Sequence, residues 1–158
     1  GPGAGRSATG GLFFEPAVEG KTVRWLGDLE APHALAYRPD VGRAFVTLGT
    51  EEAALGRAWH LPISSTPSGR EFAAAVSDAL GREVKLSATS KTVLRLVGLF
   101  DPTVREVADM YYQWDRPFLV SDEAFQQQLG PQAPTPFAEA VATTTAWFEA
   151  RHRDTQTD

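Results

Sequence analysis

Tyr37-Arg38-Pro39-Asp40-Val41-Gly42-Arg43-Ala44-Phe45-Val46-Thr47-Leu48 reads as an extended segment that turns directly into a helix. Pro39 suits a first helical position, where its missing N–H has no intrahelical partner, and Asp40 sets a carboxylate on the positive end of the helix dipole. Val41, Ala44, Phe45 and Leu48 fall at i, i+3, i+4 and i+7, one apolar stripe. Ala34-Leu35-Ala36-Tyr37, short and apolar, reads as a buried strand end leading into that helix. Strand-to-helix corners of this kind are where α/β proteins present polar groups to a ligand, although many only hold the fold together.

Upstream of the corner, Thr22-Val23-Arg24-Trp25-Leu26 alternates as a strand with Val23 and Trp25 on one face, and Gly27-Asp28 turns the chain toward His33. Leu12, Phe13, Phe14, Ala17 and Val18 predict a short helix closed by Gly20. Residues 1–11 are a glycine-rich loop, and Gly3-x-Gly5-x-x-Ala8 within it matches only the loosest dinucleotide fingerprint, with no strand before it. Downstream, Gly56-Arg57-Ala58-Trp59-His60-Leu61-Pro62 reads as a strand. Ser68-Gly69-Arg70-Glu71 is a capping box, opening a helix with Phe72, Val76, Ala79 and Leu80 on one side and a stop at Gly81. Glu83-Val84-Lys85-Leu86-Ser87 reads as another strand, and strand, helix, strand in order favours parallel α/β packing.

Residues 90–114 are helical with a break at Gly98 and Asp101-Pro102, where proline begins a second helix. Tyr111, Tyr112 and Trp114 close that stretch, either as a cap over the core or as a stacking wall for a ligand. Arg116-Pro117-Phe118-Leu119-Val120 reads as a short strand, Ser121 as an N-cap, and Asp122 to Leu129 as a helix ended by Gly130. Thr135-Pro136 opens a last helix carrying Phe137, Val141, Thr144 and Phe148. The expected organisation is thus a glycine-rich loop over 1–11, one α/β lobe over 12–150, and a polar tail over 151–158.

Composition narrows the function. The 158 residues are 42% hydrophobic and 22% charged, enough for one domain with a real core. A net charge of -5 with scattered Lys and Arg argues against nucleic acid as a partner. No apolar run approaches the roughly 18 to 20 residues of a membrane span. The start of the chain lacks the basic and apolar regions of a signal peptide, so a cytoplasmic protein is expected. With no cysteine there are no disulfides and no thiolate metal sites.

The chemistry-bearing patterns are sparse. His33, His60 and His152 fall in no metal-ligand spacing, and neither a Gly-x-Ser-x-Gly elbow nor a phosphate loop is present. Tyrosines 37, 111 and 112 and lysines 21, 85 and 91 never make Tyr-x-x-x-Lys, the spacing that puts an ammonium one helical turn from a phenol and favours its ionisation. Neither a catalytic constellation nor a metal site is expected from this chain alone.

Gly1-Pro2-Gly3, Trp25-Leu26-Gly27-Asp28, Pro32-His33, Tyr37-x-Pro39-Asp40-Val41-Gly42-Arg43-Ala44, Trp59-His60-Leu61-Pro62, Gly69-Arg70-Glu71-Phe72 and a closing Thr135-Pro136 helix with Trp147 resemble, in that order, the C-terminal half of NAD-dependent epimerase/dehydratase-like proteins of the extended and atypical short-chain dehydrogenase/reductase superfamily. The resemblance implies an α/β fold: a small, partly parallel sheet with packed helices, the substrate-binding part of a Rossmann-type enzyme. It implies that the glycine fingerprint and the Tyr-x-x-x-Lys pair belong to a preceding half, so that the chain is a fragment, inactive alone, of a protein using NAD or NADP. It places Gly1, Pro2 and Gly3 beside the nicotinamide end of the cofactor, makes Phe13, Phe14, His33, Tyr37 and Tyr112 walls of a small-molecule substrate pocket, and gives Asp40 a structural role. The expected partner is the Rossmann half, or a second copy through the apolar face that its loss would expose. The alternative expectation is a stand-alone binding or interaction domain derived from that lobe.

Overall fold

A computed structural model of the chain describes residues 1–5 and 9–157. Ala8 of the glycine pattern and Asp158 of the expected tail lie outside the described residues. A π-helical turn, Gly10–Phe14, runs into α1, Glu15–Val18, and Gly20 takes φ +74° just after its end. Next comes β1, Val23–Leu26, whose Val23 and Trp25 point inward as the alternation predicts. A long connection follows to α2, Arg38–Thr50.

The central helix differs from its expected stripe. Its inward side is centred on Asp40 and Ala44, which are 1% and 0% exposed, while Phe45 is 61% exposed. Apolar spacing alone could not show this, because the residue that decides the rotation of the helix is a carboxylate.

The capping box at Ser68 forms in both halves: the Ser68 hydroxyl accepts the Glu71 N–H, and the Glu71 carboxylate accepts the Ser68 N–H at 2.8 Å. The helix it opens, α3, spans Gly69–Leu80 and ends at Gly81 in the left-handed conformation. Phe72, Ala73 and Val76 form its buried side, whereas Ala79 is exposed. The second strand, β2, is Leu86–Thr89, and it pairs with β1 in parallel, Val23 opposite Leu86 and Leu26 opposite Thr89. Two parallel strands with helices packed on them bear out the expected fold class.

Three other stretches read as strands do not become strands. Residues 34–37, 56–62 and 116–120 are irregular, and the loops around them meet instead at two single bridges, His33 with Phe118 and Leu35 with Ser65. In the 56–62 stretch the polar groups find loop partners: the Trp59 indole N–H donates to the Ala54 carbonyl, and the His60 ring lies 3.0 Å from the Ser121 carbonyl.

Beyond β2 the chain forms α4, Lys91–Val97, and α5, Pro102–Asp109, with the Asp101 carboxylate capping the second. A 3₁₀ turn, Tyr111–Gln113, and α6, Glu123–Leu129, follow. Asp122 rather than Ser121 occupies the N-cap of α6. The last helix, α7, is Phe137–Thr157, so the expected polar tail is helical as far as it is described. Among the described residues no helix is long and apolar enough to cross a membrane.

The core is aromatic. Phe13 packs edge-on to Phe72 with ring centroids 4.6 Å apart, Phe14 stacks on Phe148 at 5.1 Å, and Val23, Trp25, Val76 and Val141 fill the remainder. Gly69 lets α3 approach the Trp25 indole so closely that an added Cβ would lie 2.9 Å from the ring.

Candidate functional site

At the corner, Tyr37 keeps an extended backbone and α2 begins at the next residue. The Tyr37 N–H donates to the Ser64 hydroxyl at 2.9 Å, and that hydroxyl donates to Asp40 Oδ2 at 2.8 Å. Thr135 gives Asp40 two more bonds, from its N–H at 2.9 Å and its hydroxyl at 2.7 Å, and Arg43 Nη2 lies 2.7 Å from Oδ1. The Gln132 amide donates to the Asp40 carbonyl. One buried carboxylate therefore ties the start of α2 to the Ser64 loop and to the approach to α7. Burial pushes the Asp40 carboxyl up, but the Thr135 and Ser64 donors and the Arg43 guanidinium outweigh it and hold it below the usual carboxylate range.

Beside this tie lies an open cleft of about 460 Å³, bordered by Gly1, Phe14, Tyr37, Ser64, Ser65 and Thr144 among others. Ser64 is committed to Asp40 and Thr144 donates to the Ala140 carbonyl. The hydroxyls of Tyr37 and Ser65 have no partner among the described residues. Such a cleft can orient a small polar molecule by hydrogen bonds. Among the described residues it offers no acid–base pair, since no carboxylate or imidazole of theirs borders it.

Of the residues expected at a substrate pocket, Phe14 and Tyr37 meet at this cleft, with Gly1 at its edge. Phe13 is 2% exposed and spends its ring on the core. His33 holds loops together, its Nδ1 2.9 Å from the Ala31 carbonyl and its Nε2 3.0 Å from the Gln113 carbonyl. Tyr112 is exposed and does not border the cleft. The Gly1-Pro2-Gly3 turn sits against the start of α2, where Arg38 Nη1 donates to the Pro2 carbonyl at 2.9 Å. Gly3 has φ +77°, a left-handed backbone that favours glycine in this turn.

Sequence reading missed Ser64, Thr135 and Arg38 as parts of this site. A hydroxyl in a polar loop carries no spacing signal, although Arg38, next to the corner proline, could have been paired with the first turn. Among the described residues no group of three or more His, Asp or Glu could hold a metal ion. Nor does a strand there pass through a glycine-rich turn into a helix N-terminus, as a dinucleotide pyrophosphate requires.

No family model and no curated protein matches the sequence. Solved structures do match. DesIV, a dTDP-glucose 4,6-dehydratase from Streptomyces venezuelae solved with NAD bound, superposes with a TM-score of 0.64 at 18% identity over 94% of this chain. A protein described as an epimerase, from Burkholderia cenocepacia, gives 0.62 at 16% identity over 87% of the chain, and a partial-consensus L-threonine 3-dehydrogenase gives 0.61 at 18% over 87%. The chain has the fold of the part it matches. It spans only 39–40% of the length of these dehydratase, epimerase and dehydrogenase chains. Their shared fold is the one that the ordered motifs of this sequence resemble.

Proposed function

We propose that this chain is the substrate-binding lobe of an NAD(P)-dependent oxidoreductase, epimerase or dehydratase, and that it neither holds the cofactor nor turns over substrate by itself. The observation that carries this reading is the lopsided coverage: 94% of this chain against 40% of the DesIV chain. The lack of a Tyr-x-x-x-Lys pair supports it. In this reading the Gly1–Gly3 turn faces the nicotinamide side of a separate nucleotide-binding half, and Tyr37, Phe14 and the Ser64–Ser65 loop line the substrate side. Calorimetric titration with NADH and NADPH tests it. No heat of binding is expected, and micromolar affinity for either would overturn the reading.

A second reading, a stand-alone interaction domain built on the same lobe, is favoured by one observation. Phe100 is 90% exposed and Leu99 75%, beside a half-exposed Leu96 and Val97 on α4. Apolar surface gathered like this marks contact with a partner. Under either reading it is covered, by the nucleotide-binding half or by a second copy, and the isolated chain self-associates. Light scattering across a concentration series that shows a monodisperse monomer without apolar-dye binding would count against both occupants and favour a domain adapted to live alone.

A further inference from the structure

The outer face of the sheet carries a second cleft that the corner does not use. Alternation on β1 sends Val23 and Trp25 into the core, so Arg24 and Leu26 face the other way, where α4 and α5 stand over them. Leu12, Leu26, Val93, Val97, Val107 and Trp114 wall an open space of about 1050 Å³. Leu12 and Val97 are half exposed within it, which water alone does not reward. Two polar groups interrupt the apolar lining. Arg24, the one charged residue bordering the cleft, makes no ion pair or hydrogen bond among the described residues. Thr89, opposite Leu26 in the parallel register, is 8% exposed, and its hydroxyl likewise has no partner there.

We infer that this cleft binds an amphipathic carboxylate, an apolar chain or ring lying along α4 and α5 with its carboxylate on the Arg24 guanidinium. A long aliphatic wall with a single unpaired cation at the rim suits one anionic head on an apolar body, which keeps the charge near water and buries the chain. A nucleoside diphosphate would need several cationic or backbone N–H donors for its phosphates, and among the described residues the lining offers one cationic side chain. Val97 also borders the apolar edge that the proposed function gives to a partner, so the inference is made for the isolated chain, and its failure there leaves the proposed function standing.

Octanoate and 1-octanol, titrated by calorimetry into the full chain, test it. Octanoate should bind at least about tenfold more tightly than the alcohol, and Arg24→Gln should erase that difference while leaving the circular dichroism unchanged. Val97→Asp should weaken both probes. Equal affinity for acid and alcohol, or no octanoate binding at millimolar concentration, would overturn the proposal. If Val97→Asp abolished self-association while octanoate never bound, the cleft would belong to a protein contact, which overturns it as well.

Discussion

Asp40 is where single atoms decide most. Its carboxylate accepts from Ser64, Thr135 and Arg43 while 1% exposed, so a replacement that cannot accept all of these leaves part-buried donors unpaired. Asp40→Asn should cost about 2–4 kcal/mol of unfolding free energy in urea melts. The folded carboxyl titrates below its unfolded value, near 3.9. Its contribution is therefore complete above about pH 4 and lost as the pH falls through the folded value. The gap between wild type and Asp40→Asn should narrow below pH 4, and a constant gap from pH 7 to 3 would mean that the charge contributes nothing. Gly27 is a second decisive residue. It has φ +81°, and a Cβ there would lie 2.0 Å from the Trp114 carbonyl, so the backbone after β1 passes directly under the chain after α5. Gly27→Ala should destabilise by more than the roughly 1 kcal/mol that a left-handed backbone costs a non-glycine residue, because the Trp114 segment must also move. A melting temperature within a degree of wild type would show that this approach is looser than drawn.

At the scale of elements, the helices were legible and most of the strands were not. The capping box announces α3 from four residues, and its stop at Gly81 follows from glycine's tolerance of the left-handed conformation. Ser68→Ala should remove about 1 kcal/mol through the lost cap, and a chemical denaturation midpoint unchanged from wild type would contradict the hydrogen bonding described. Local signals of this kind are written in adjacent residues. Whether an apolar run becomes a strand depends on an edge supplied from elsewhere, and residues 56–62 and 116–120 find only loops. Thr135 shows the same limit from the other side. Its position before Pro136 suggests a helix cap, yet its hydroxyl reaches Asp40, 95 residues earlier in the chain. The candidate cleft was half legible: Phe14 and Tyr37 carry bulk that a pocket needs, whereas Ser64 and Ser65 look like any polar loop until the fold delivers them.

For the molecule as a whole, two features stand together. Phe13, Phe14 and Phe72 pack against one another, and Phe148 stacks on Phe14, giving the lobe an aromatic core of its own. An exposed apolar edge at Leu96, Leu99 and Phe100, and a fold matched to less than half of longer chains, are the two observations behind the proposal that the cofactor is held elsewhere. Thermal melting with and without millimolar NADH tests that claim most directly, because a ligand that binds only the folded state must stabilise it. At a hundredfold excess over its dissociation constant the gain would be about 2.7 kcal/mol. For a chain of this size that moves the midpoint by roughly 5 °C or more. The midpoint should not move, and a rise of that size would contradict a chain that holds no cofactor by itself.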